Sequence, residues 1–287
     1  YALWSINCMA YYKGKRKVFE PQSTTPHRLS RSKIDLFVEC PRCFYMDQRL
    51  GIGRPSTFPL TLNIAVDELL KKEFDILRES QNPHPIMEKY RVNAVPFKHP
   101  DLLIWRDALR RGIEYLDPRT NLSIRGGVDD IWVRPNGELI VVDYKAKATR
   151  EEITLEGDLG LQYKRQAEVY QWLFRKNGFK VSPTAYFVFV NANKDVDTFD
   201  GKLEFEMILV PCEGNTDWVS EIILKIKECL MGNILPPPDP ECEYCAYRKS
   251  AAEAAFQNKV VSDTSETNKE KKDEKFQEKE VSNKKLF

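Results

Sequence analysis

The sequence predicts an α/β fold, with a central mixed β-sheet flanked by helices. Three observations predict it. Apolar residues recur at helical spacing from Leu60 to Leu77. The β-branched run Glu138 to Tyr144 (ELIVVDY) suits a buried strand. A helical segment from Leu159 to Lys176 then separates that run from two more strands, and this alternation layers helices on a sheet.

In chain order, residues 1–28 read as a flexible leader, with Lys15-Arg16-Lys17 as a basic arm. Ser30 to Phe37 opens a short helix with Ser30 or Ser32 as N-cap. Cys40-Pro41-Arg42-Cys43 interrupts it. In the Leu60–Leu77 helix, Leu62, Val66, Leu69, Leu70 and Phe74 mark the inward face, and Asn82-Pro83-His84-Pro85 ends it. A second amphipathic helix is expected from about Pro100 to Tyr115, with Leu103, Ala108, Leu109 and Ile113 inward. Leu122 to Val133 reads as one strand bent at Gly126-Gly127, and Pro135-Asn136-Gly137 as a hairpin turn. Gly178 stops the next helix. Thr184 to Asn191 and Leu203 to Val210 are strands, and Trp218 to Met231 is an amphipathic helix. The main domain is expected to span 29–256. Residues 257–287, rich in Lys, Glu, Asp, Ser and Asn, read as a disordered tail.

The 287 residues hold 44 Lys and Arg against 43 Asp and Glu, a net charge of +1. Bulk charge therefore predicts no polyanion partner, and a nucleic-acid site has to come from local clusters. Arg106, Arg110 and Arg111 form one such cluster, and Lys145, Lys147, Arg150, Lys164 and Arg165 another. No apolar run approaches the ~20 residues that span a bilayer. The N-terminal stretch places its apolar patch before its basic residues, the reverse of a secretory signal. A cytoplasmic location without membrane attachment is expected. Seven cysteines, an odd number, argue against a disulfide framework. Four of them form two C-x-x-C pairs, Cys40/Cys43 and Cys242/Cys245. Such turns let two thiolates converge on one metal, and two turns make a four-cysteine site that clips the N- and C-terminal segments together. The spacing suits zinc or an iron–sulfur cluster equally.

Chemistry concentrates on the hairpin. Asp129 in Gly126-Gly-Val-Asp129 and Asp143 in Val142-Asp143-Tyr144-Lys145 lie on its two strands. Paired carboxylates suit a hard Mg²⁺ or Mn²⁺ ion, which would polarise a phosphate and acidify a bound water. Lys145, two residues after Asp143, leaves the same strand face and would meet the same phosphate. Gln166 and Tyr170, four apart, share a face of the next helix. Asp129 has two rival readings: pairing with Arg125, and replacement by Asp130 in the metal role.

The series GGVDD, VVDYK and QAEVY, in this order and separation, resembles the RecB-like branch of the PD-(D/E)XK nuclease superfamily, over roughly residues 28–250. The resemblance implies a restriction-endonuclease-like core. It also implies DNA hydrolysis by a metal-activated water. Asp129, Asp143 and the carbonyl of Tyr144 would hold the ion, Lys145 would assist the water, and Gln166 and Tyr170 would belong to the Q-x-x-x-Y helix. The family has a His ligand in a G-x-x-x-H pattern, and here the matching stretch is Asn63-Ile-Ala-Val-Asp67. Asp67 or Glu68 takes that place. CRISPR-associated and AddB-type members carry a [4Fe–4S] cluster on one N-terminal and three C-terminal cysteines. Here Lys249-Ser250-Ala251 stands where the last of them would fall, and Cys43 restores the count. DNA, and separate helicase, repair or CRISPR proteins, are the implied partners. The departure at the helix His motivates an alternative, a nucleic-acid-binding or scaffold protein with the nuclease fold but no catalysis.

Overall fold

The computed structural model describes residues 17–55 and 60–257. The expected leader and tail lie largely outside these residues. Within 17–28, Phe19 is buried and donates its N–H to the Gln48 carbonyl at 2.7 Å. The chain divides into two compact units at Pro237/Pro238.

The first unit carries two sheets. Strands β1 (His27–Ser30), β4 (Leu122–Gly126) and β3 (Ile113–Asp117) make the smaller one, with β1 parallel and β3 antiparallel to β4. The larger has the order β2 (Val95–Pro96), β5 (Asp130–Val133), β6 (Leu139–Lys147), β7 (Thr184–Ala192) and β8 (Phe205–Glu213). Among the described strands of this larger sheet only β6 and β7 pair in parallel, and helix α6 (Gly157–Lys176) makes the crossover that such a pair requires. The other helices are α1 (Arg31–Glu39), α2 (Pro41–Arg49), α3 (Thr61–Ser80), α4 (Pro85–Lys89), α5 (Leu102–Arg106) and α7 (Asp217–Met231). The second unit has a turn at Cys242 and a helix over 243–257.

Strand β6 is central because it is apolar on both faces. Ile140, Val142 and Tyr144 join Trp132, Val188, Val190 and Leu209 in one core layer with Leu70 and Phe74 of α3 and with Ile86 and Met87 of α4. The alternate residues Val141, Asp143 and Lys145 leave the opposite face, by the twofold period of a strand. Tyr163 of α6 packs there against Phe187 and Phe189 of β7. The β5–β6 turn holds Gly137 at φ +77°, where a side chain is disfavoured.

Four expectations need correction. The helix expected over about 100–115 is one turn, α5, followed by irregular chain and then β3. Leu103 and Leu109, taken as inward, are 70% and 88% exposed. The strand expected over 122–133 is two strands in different sheets, because the glycine pair redirects the chain between β4 and β5. On α3 the buried face is Leu70 and Phe74 with Val66 partly covered, while Leu62 and Leu69 face outward. Ser30 precedes α1 but forms no side-chain cap; its hydroxyl meets that of Ser32 at 2.9 Å.

Candidate active site

Asp130 pairs with Val142, so one further step of the antiparallel register sets Asp129 opposite Asp143. The backbone N–H of Tyr144 donates to Asp129 Oδ2 at 3.0 Å. Asp143 is buried, and its carboxylate is ringed by donors. Lys145 Nζ bonds Oδ2, and Gln166 Nε2 donates to Oδ1 at 2.7 Å. Gln166 Nε2 also donates to the Tyr170 hydroxyl at 3.2 Å, and its Oε1 accepts from Lys145 Nζ at 3.3 Å. Five of the sequence-derived residues thus meet at one place: Asp129, Asp143, Lys145, Gln166 and Tyr170. Gly126 makes room for them. A Cβ there would lie 2.5 Å from the Tyr170 ring.

The electrostatics follow from burial beside opposite charge. Burial pushes the Asp143 carboxyl up to about 7; the charge of Asp129 adds to this, and Lys145 opposes it. Burial would lower Lys145, yet Asp143 and Asp129 together hold it above its ordinary value. The two carboxylates thus favour the charged form of Lys145. Burial also raises the Tyr170 phenol, against the nearby Arg31.

Helix α3 brings Asp67, and Glu68 points into solvent, so of the two rivals Asp67 is the one at the site. Lys71, one turn on, bridges Asp67 Oδ2 at 2.6 Å and Asp129 Oδ1 at 3.4 Å. Asp67 thus approaches Asp129 through an ammonium. Asp130 has a different setting. Fully buried, it accepts from Arg78 Nη2 at 2.5 Å, from Arg106 Nη2 at 3.1 Å and from the Tyr144 hydroxyl at 2.8 Å. Arg106 also donates to the Asp129 carbonyl at 2.9 Å and to both oxygens of Asp75. Asp130 is an anchor beneath the site, and Arg106 belongs to that anchor rather than to an exposed basic cluster. Arg125 donates to the Leu109 carbonyl, and Asp129 pairs with Lys71, which rules against the rival reading of an Asp129–Arg125 pair. The donor set fits a hard divalent cation: the carboxylates of Asp129, in the bend before β5, and of Asp143 on β6, whose oxygens now accept from Tyr144 N–H and Lys71 and from Gln166 and Lys145 respectively.

A family model described as the PD-(D/E)XK nuclease superfamily matches residues 60–250, the stretch that contains every residue of this constellation. The chain belongs to the PD-(D/E)XK nuclease superfamily. No curated protein matches it closely. Among solved structures, the crystal structure of SSO0001 is similar at 15% identity, covering 79% of this chain and 85% of that one, with a TM-score of 0.34.

In this PD-(D/E)XK chain the cysteines are placed as follows. Cys40 precedes α2 and Cys43 lies in its first turn, both buried. The Cys242 carbonyl accepts the N–H groups of Cys245 and Ala246 at the start of the C-terminal helix. The ligand atoms of Cys40, Cys43, Cys242 and Cys245 all lie within 4.8 Å of one another, so the four could hold a metal. Among the described residues no helix is long and apolar enough to cross a membrane. Sequence reasoning missed Lys71, Arg31 and Tyr163. Lys71 had a signal, since an Asp67/Lys71 pair at i,i+4 shares a helix face. Arg31 had none. It reaches Asp143 and Tyr170 only through the pairing of β1 with β4.

Proposed function

We propose that the chain is a RecB-like PD-(D/E)XK deoxyribonuclease that hydrolyses DNA phosphodiester bonds. One observation carries the reading: Asp143 and Lys145 share a strand face, Asp129 stands opposite, and Gln166 closes on Asp143. A Mg²⁺ or Mn²⁺ ion held by Asp129, Asp143 and the Tyr144 carbonyl, with Asp67 as a further ligand, would polarise the phosphate and acidify the attacking water. Lys145, kept charged by two carboxylates, offsets charge that develops on the phosphate. Gln166 and Tyr170 fix the Asp143 carboxylate in its rotamer and border the strand-binding groove.

The test is cleavage of single- and double-stranded DNA with Mg²⁺. Asp143→Ala and Lys145→Ala are expected to abolish it, and full activity in both variants rejects the mechanism. A second reading, a DNA-binding protein of this fold without catalysis, has Lys71 in its favour, because its ammonium already neutralises Asp67 and Asp129. DNA binding without metal-dependent cleavage would support it. For the cysteines the reading is a structural zinc or [4Fe–4S] site. Absorbance and metal analysis of anaerobically purified protein decide between them, iron with sulfide against colourless zinc protein. Cys43→Ser is expected to lose that metal.

A further inference from the structure

A cavity of about 310 Å³ opens beside the carboxylates, between α3, the C-terminal end of β6 and Tyr163 of α6. Its volume is at the lower end of small-ligand pockets (~300–1,000 Å³). Val66 and Leu70 form an apolar wall, Tyr163 an aromatic one, and Asn63 contributes an amide. Asp67 and Lys145 belong to both the cavity and the carboxylate cluster, so the two are continuous. Tyr163 stands three residues before Gln166 and seven before Tyr170, and so extends their helix face by one turn.

We infer that this cavity receives the nucleobase adjoining the phosphate bound at Asp129, Asp143 and Lys145, with Tyr163 as its stacking platform. The inference rests on the nuclease reading and names a subsite within it. The carrying observation is a distance. Lys145 Nζ bonds Asp143 and also sits over the Tyr163 ring, 4.8 Å from its centroid, so a base stacking on Tyr163 takes the ring surface that walls the cavity beside this ammonium. A phosphate on Lys145 therefore puts its own nucleoside against that ring, since phosphate and base of one nucleotide are separated by little more than a sugar. Apolar walls reject a second phosphate and accept a π-face. Asn63 uses one N–H on the Ala146 carbonyl at 3.2 Å. Its amide retains further donor and acceptor capacity for a base edge. A base in a duplex stack cannot enter such a cavity while its phosphate stays on Lys145, so the nucleotide has to be unpaired there.

The experiment is equilibrium binding of fluorescently labelled single-stranded oligodeoxynucleotides by anisotropy, with Ca²⁺ in place of Mg²⁺. One abasic nucleotide is moved stepwise along the strand, against the wild-type chain, Tyr163→Ala and Tyr163→Phe. In the wild type, one abasic position is expected to weaken binding about tenfold, in keeping with base–aromatic stacking. Tyr163→Ala should bind the intact strand about tenfold more weakly and lose the positional effect, while Tyr163→Phe keeps both. A wild-type profile flat at every position, an abasic effect undiminished in Tyr163→Ala, or no strand binding at all overturns the assignment. Were the nuclease reading alone wrong, the positional effect would persist while Mg²⁺ produced no cleavage. If Tyr163→Ala does not fold, the wild-type and Tyr163→Phe profiles still decide.

Discussion

Asp129 and Asp130 are adjacent and chemically alike, yet the fold gives them opposite tasks, and Asp130→Asn separates these. The Asp130 side chain has no exposure, and those of Arg78 and Arg106 are 5% and 8% exposed. Removing one partner of a buried ion pair costs ~3–5 kcal/mol, because the remaining charge is left in a poor solvent. Here Asp75 still serves both guanidiniums, with 43% of its side chain exposed. The loss should therefore sit at the lower end, about 3 kcal/mol. With a urea m-value of about 3 kcal/mol/M, the midpoint falls by about 1 M. Asp129→Asn removes a partly exposed carboxylate paired with Lys71. It should change stability by less than about 1 kcal/mol and abolish metal-dependent cleavage. Urea denaturation followed by tryptophan fluorescence reads both variants. Equal midpoints for Asp130→Asn and the wild type, or a larger fall for Asp129→Asn, would refute the division of labour.

Three further outcomes are expected. The folded Asp143 carboxyl holds its proton to about 7, whereas the unfolded one releases it near ~4. The folded state thus binds more protons between these values, and the metal-free protein loses stability from this group as pH rises from about 4 to about 7. Mg²⁺ needs the ionised carboxylate, so its apparent affinity should rise with pH up to about 7, seen in cleavage titrations or calorimetry, and Asp143→Asn should lack both trends. Lys71→Met removes a cation that competes at Asp67 and Asp129, so Mg²⁺ should bind more tightly while the metal-free protein becomes less stable; unchanged Mg²⁺ affinity would deny the competition. Gly126→Ala places a methyl 2.5 Å from the Tyr170 ring. It should cut cleavage about tenfold or more by displacing the Q-x-x-x-Y helix, given how steeply catalysis depends on positioning, and normal activity would show that Tyr170 has slack.

The β5–β6 hairpin was legible because its signals were local. A β-branched run, a Pro-Asn-Gly turn and a D-x-K spacing fix which side chains share a face before any tertiary contact is known. The stretch 100–115 was not. Leu103, Leu109 and Ile113 satisfy a helical template, but the helix ends at Arg106, where Asp107 leaves the helical region at ψ 75°, and Gly112 at φ +85° then turns the chain into β3. A Cβ on Gly127 would also fall 2.4 Å from the Ala108 Cα, so the chain must pass flat against β4's end. Likewise nothing local separates Asp129 from Asp130. The choice is made by Arg78, Arg106 and Tyr144, which lie 52, 24 and 14 residues away from Asp130. The outward apolar residues of α3 misled for a related reason: Leu62 and Leu69 sit on a helix face that periodicity alone cannot distinguish from its buried neighbour.

Two neighbouring aspartates divide the work at the start of β5. Asp130 opens the strand with its carboxylate held by Arg78 and Arg106, and Asp129, in the bend just before it, turns its carboxylate to the Tyr144 N–H and Lys71 instead. Arg106 completes the arrangement by bonding the Asp129 carbonyl while its other nitrogens hold Asp75 and Asp130. Tyr144 couples the second strand to the same anchor, its phenol on Asp130 and its N–H on Asp129. Burial and the Asp130 carboxylate keep that phenol protonated well above its ordinary value, so it remains a donor throughout the working range. The relative position of Asp129 and Asp143 is thereby set by the Asp130 carboxylate, the Arg106 guanidinium and the phenol and N–H of Tyr144. A rigid geometry for two like charges is what a divalent ion needs and what two carboxylates left alone would resist.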